Sequence, residues 1–89
     1  MNTNEQAPNP SVAILKWTAQ ETGAYASGIL EVHRTLAKAQ FSMVTIAAQL
    51  TTKQGWTQIS VSKAKQEITL QHAETNREIR LYIETHKIL

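Results

Sequence analysis

Catalysis needs a nucleophile with a base, paired carboxylates or a metal, and the residues able to supply these are few. The chain has 89 residues, with three histidines (His33, His72 and His86), no Asp and no Cys. None of the histidines has another His three or four positions away, so no metal-ligand spacing arises. His33 falls beside an apolar seam, where a solvated or packed ring is expected. His72 falls in an inward slot at a strand end, as a hydrogen-bonded side chain or, in the sharper alternative, a pH-sensitive group at an interface. Glu74 and Glu78 are four apart but straddle a turn, which makes them solvated surface. "GAYASGI" lacks the Gly spacing of a nucleophile elbow. "TGAYASG" lacks the Gly-Lys-Ser/Thr that completes a phosphate loop. The sequence therefore predicts a protein that is not an enzyme, with no catalytic residue, no cofactor and no metal.

Nucleic-acid binding is the other chemistry the residues raise. The formal net charge is +2, from nine Lys/Arg against seven Glu. The excess sits in residues 46–89, where Lys53, Lys63, Lys65, Arg77, Arg80 and Lys87 face Glu67, Glu74, Glu78 and Glu84. Lys63 and Lys65 fall in one expected turn and Arg77 in the next, while Arg80 and Tyr82 share one side of the last strand. Two basic turns beside a small stacking platform would suit a phosphate backbone with unpaired bases. Glu67, Glu78 and Glu84 dilute that face, and no helix-turn-helix, RNP or zinc-finger pattern appears. A small basic regulator binding DNA or RNA through Lys63, Lys65, Arg77, Arg80 and Tyr82 is the alternative function.

The elements that would position these residues divide at Trp56. Residues 1–10, "MNTNEQAPNP", lack the basic and apolar regions of a signal peptide and predict a disordered tail ahead of a single domain over 11–89. The longest uncharged run, Ala39 to Thr52, is too short and too polar to span a membrane, so a cytoplasmic protein is expected. "SVAILKWTAQE" predicts a helical piece, and Gly23 and Gly28 mark a kink or a break. Beyond them Ile29, Val32, Leu36, Ala39, Met43, Ile46 and Leu50 follow a strict 3-4-3-4-3-4 spacing, which predicts a long helix over about 28–52. A second apolar stripe runs through Leu30, Ala37, Phe41, Val44 and Ala48.

After Trp56 the apolar residues fall at every second position. Ile59, Val61, Ile68, Leu70, Ile79, Leu81 and Ile83 sort to one side, as in strands. "HAETNR" suits a hairpin loop with Asn76 in a left-handed conformation. The expected fold is α+β, a helical N-terminal half packed on a C-terminal three-stranded antiparallel meander. An all-α antiparallel helical hairpin is the alternative. Such a small sheet covers one stripe of the helix. The other is expected to be covered by the N-terminal piece with Val12, Ile14, Leu15 and Trp17 folding back over it or, failing that, by a second subunit. The function this predicts is a non-enzymatic protein–protein interaction or assembly module, a homodimer joined through Ile29, Val32, Leu36, Ala39, Met43, Ile46 and Leu50.

Overall fold

A computed structural model of the chain describes residues 11–21, 23–62, 64 and 66–87. The expected disordered tail over residues 1–10 lies outside the described residues. Strand accounts for 58% of what is described and helix for 24%. The elements run β1 (Ser11–Glu21), β2 (Ala24–His33), α1 (Leu36–Lys53), β3 (Trp56–Val61), β4 (Glu67–His72) and β5 (Glu78–Lys87). All five strands join one antiparallel sheet in the order β2-β1-β5-β4-β3, with α1 packed across one face.

This corrects the expected architecture. The three C-terminal strands are only part of a five-stranded sheet, and the N-terminal half is a β-hairpin rather than helix. The all-α alternative fails with it. The expected helix over 28–52 begins only at Leu36, because β2 runs through His33.

Each departure has a local cause. In β1, Ala13, Leu15 and Trp17 face the core while Val12 and Ile14 line the opposite face, so the strand reads as a continuous apolar run without alternation. Between β1 and β2 there are only two residues, and Gly23 takes the positive φ of 75° that such a tight turn demands. Gly28 sits under the Trp17 indole, and a Cβ there would lie 2.8 Å from Trp17 Nε1. A larger residue would displace the tryptophan. Helix α1 starts at Thr35, whose hydroxyl accepts from the Lys38 amide at 3.2 Å and caps the first turn.

The core lies between α1 and the middle of the sheet. Ala39, Met43 and Ala47, spaced by four, turn toward Leu15 on β1, Ile68 and Leu70 on β4, and Leu81 and Ile83 on β5. The two alanines let the helix axis approach closely, and Met43 fills the centre. Trp56 closes the corner where α1 turns into β3, with its ring edge-on to His72 at 5.1 Å.

Candidate interaction surface

The seven residues of the expected seam separate. Ile29 and Val32 lie exposed on β2, whereas Ala39 and Met43 are fully buried and Leu36, Ile46 and Leu50 pack against the core. The helical part of the seam is thus the contact that holds α1 to its own sheet. The second stripe is the bare one. Phe41 is 75% and Val44 55% exposed, with Ala37 and Ala48 exposed on the same flank.

Two contacts orient that flank. Gln40, one helical turn before Val44, donates from Nε2 to the Ala64 carbonyl between β3 and β4 at 3.2 Å. Val61, 45% exposed, pairs with buried Ile68 and so shares the helix-bearing face of the sheet. Val44 therefore looks toward the β3 edge and Val61. At the other end of the stripe, an open groove runs beside Phe41, lined by His33, Ala37, Lys38 and Ser42.

Among the described residues, eight large apolar side chains are exposed: Tyr25, Ile29, Leu30, Val32, Phe41, Val44, Ile59 and Val61. Their placement is not scattered. Four lie on β2, two on β3 and two on the outer flank of α1, which are the two sheet edges and the side of the helix turned from the core. Among the described residues, seven buried apolar side chains are larger than Ala, namely Leu15, Met43, Trp56, Ile68, Leu70, Leu81 and Ile83, and Trp17, Leu36, Ile46, Leu50 and Ile79 pack partly buried against them. Isolated exposed apolar residues are ordinary, whereas these gather on the two sheet edges and on one flank of α1.

Comparisons with protein-family models, characterised proteins and solved structures find no match to this chain. What the surface can do is read from its own chemistry.

The residues expected to touch nucleic acid come together only in part. Arg80 and Tyr82 do share the face of the sheet away from α1, with the Arg80 guanidinium 4.6 Å and the Lys16 ammonium 6.0 Å from the Tyr82 ring centre. Each cation also faces a carboxylate. Lys16 pairs with Glu84 at 3.2 Å, Arg80 with Glu67 at 4.0 Å, and Arg77 with Glu21 at 3.7 Å. The cluster is close to neutral and lacks the excess positive charge that draws a phosphate backbone. Lys63 and Lys65 lie outside the described residues.

Among the described residues, no group of three His, Cys, Asp or Glu side chains is placed to hold a metal ion, and no helix is long and apolar enough to cross a membrane. His33 donates from Nε2 to Glu31 Oε1 over 2.6 Å, and the Nδ1 of His72 accepts from the Glu74 amide at 3.2 Å.

Two carboxylates titrate below their ordinary value of 4.5. Hydrogen bonds from Ser42 and then His33 hold Glu31 down, and those from His86 and then Lys16 hold Glu84 down. Since folding lowers both, their contribution is complete above the unfolded value and is lost as the pH falls through the folded one. Both groups are exposed, so the contribution is small. The thermal midpoint is expected to fall as the pH drops below about 4.5, and Glu84→Gln to remove part of that slope; calorimetry from pH 6 to pH 3 measures both.

Proposed function

We propose that this chain is a non-enzymatic protein–protein interaction module whose partner covers the outer flank of α1, from Ala37 through Phe41 and Val44 toward Val61. One observation carries this reading: among the described residues, the eight large apolar side chains that stay exposed lie on the helix flank and the two sheet edges. A phenylalanine three-quarters exposed beside an open groove is an anchor of the kind that fills a partner's pocket. The partner surface that fits is apolar at its centre, since no charged residue interrupts Ala39–Thr52.

The test compares immobilised wild type with Phe41→Asp, both shown folded by circular dichroism, for retention of protein from the native lysate. Wild type is expected to retain a defined protein in a fixed ratio, and Phe41→Asp to lose it by at least tenfold, as removal of an anchor worth about 2 kcal/mol or more requires. Equal retention by both variants, or none by either, would overturn the proposal.

A further inference from the structure

The β2 edge has a property that the helix flank does not share: it is complementary to itself. Order β2-β1-β5-β4-β3 leaves β2 at the sheet margin, with no strand beyond it among the described residues. Natural edges are guarded by Lys, Pro or short length. Here the strand has ten residues, and the stretch from Ala24 to Leu30, "AYASGIL", contains no charge and no proline. Its side chains are open as well, with Tyr25 69%, Ile29 60% and Leu30 41% exposed.

The register fixes which main-chain groups are free. Glu21 and Ala24 flank the two-residue turn and pair directly, as do Ala19 with Ala26 and Trp17 with Gly28. The pair flanking a two-residue hairpin loop is hydrogen-bonded, and bonded and non-bonded pairs alternate along an antiparallel ladder. Ala24, Ala26 and Gly28 therefore bond to β1, and the N–H and C=O groups of Tyr25, Ser27 and Ile29 point out of the sheet. At Leu30 the ladder breaks, because Leu15 pairs with Glu31 and Lys16 with Ile29, leaving Leu30 as the extra residue of a bulge.

From this geometry we infer that β2 pairs antiparallel with β2 of a second copy about a two-fold axis at Ser27, making one continuous ten-stranded sheet. Only that centre brings all three outward-pointing residues into use. Tyr25 then faces the partner's Ile29, Ser27 faces the partner's Ser27, and Ile29 faces the partner's Tyr25, for about six main-chain hydrogen bonds. Side chains agree with the same register, since Tyr25, Ser27 and Ile29 all lie on the face away from α1. Two aromatic–β-branched cross-strand pairs result. A foreign strand would satisfy one such edge, whereas a second copy satisfies two at once and closes the assembly.

The area sets the strength. Seven residues at about 3.3 Å each make a contact roughly 23 Å long, and the molecule is 20 Å across its thinnest direction. The product is about 460 Å² on each copy, or roughly 900 Å² in all, just under the size of a specific stable interface. A contact of this size suits a reversible dimer that forms as concentration rises rather than a permanent one.

This association is independent of the helix flank and can fail or stand without it. Sedimentation velocity from about 1 to 500 µM reads the monomer–dimer equilibrium of wild type and Ser27→Pro. In the monomer the Ser27 N–H is unbonded, so proline removes a donor used only between copies. Wild type is expected to become dimeric as concentration rises, and Ser27→Pro to stay monomeric with an unchanged circular dichroism spectrum. The double variant Tyr25→Lys/Ile29→Lys, altered only at exposed side chains, serves the same purpose should proline disturb the hairpin. Ser27→Cys tests the register itself. The natural chain has no cysteine, and facing residues of a bonded pair lie about 5.5 Å apart at Cα, within disulfide range. Oxidation is expected to lock Ser27→Cys as a covalent dimer and to leave Phe41→Cys largely monomeric. A wild type monomeric at 500 µM overturns the inference. So does a dimer that Ser27→Pro and Tyr25→Lys/Ile29→Lys leave intact, or that Phe41→Asp abolishes.

Discussion

Met43→Glu is expected to abolish folding, and Met43→Ala to lower stability by about 2–5 kcal/mol. Met43 has no exposed surface and lies at the centre of α1, facing the sheet core that includes Leu15, Leu70 and Leu81. A carboxylate there has no partner: among the described residues, no polar or charged side chain is buried that might receive it. Burying an unpaired charge costs more than the roughly 5–15 kcal/mol that holds a domain together. Urea unfolding followed by far-ultraviolet circular dichroism measures the alanine variant, and the spectrum alone reports the glutamate variant. Phe41→Glu, two residues away, is the control and should change the unfolding free energy by less than about 0.5 kcal/mol, as an exposed substitution does. A Met43→Glu chain that stays folded and merely changes its assembly state would place Met43 on an interface rather than in the core.

Trp56→Ala carries the next largest loss, about 3–5 kcal/mol. The indole is 6% exposed, meets His72 edge-on, and has the Arg77 guanidinium 5.8 Å from its ring centre. It therefore joins the end of α1, the start of β3 and the turn between β4 and β5. Among the described residues, Trp56 is the only buried one on β3, so its removal is expected to release β3 first. Amide exchange should quicken at Thr57–Val61 beyond its rise in β1 and β5. Uniform quickening across the sheet, with a loss below 1 kcal/mol, would show that the corner is not where β3 is held.

How far the sequence discloses this structure depends on where apolar alternation survives. Past Trp56 it survives in β4 and β5, which have one face on the core and one turned away from it. It fails in β3, where the register shifts between Gln58 and Ser60 and the expected inward residues Ile59 and Val61 are exposed. Ile68, Leu70, Leu81 and Ile83 are buried, and Glu67, Thr69, Arg80, Tyr82 and Glu84, which alternate with them, lie on the other face. Asn76 has the expected left-handed φ of 59° in the turn between them. In β1 the alternation disappears, since both faces of that strand are apolar. In β2 the bulge at Leu30 is the cause of error. It places Ile29 and Val32 on one face three residues apart instead of two, and the continuation through Leu36 then imitates a helix. Thr35 is a cap, but with Lys38 rather than Glu three residues later it lacks the capping-box signature that would have marked the start.

The candidate surface was legible in the same partial way. Two apolar stripes on α1 are visible from spacing alone, but spacing does not tell which one the chain covers by itself. That choice rests on the three-dimensional route of β1 and β2, which bring a five-stranded sheet, rather than a three-stranded one, against Ala39, Met43 and Ala47. The stripe through Phe41 and Val44 is left over. The edge character of β2 carries no sequence signal at all, because it follows from sheet order, and the order depends on β5 returning to pair with β1.

The division of α1 into a sheltered and an open side is the claim on which the remaining conclusions depend. Methyl resonances recorded with a soluble paramagnetic agent test it directly. Ala39, Met43 and Ala47 are expected to keep their intensity at agent concentrations that bleach Val44 and Ala48. Bleaching of Met43 to the same extent as Val44, or protection of Val44 with Met43 exposed, would contradict the account.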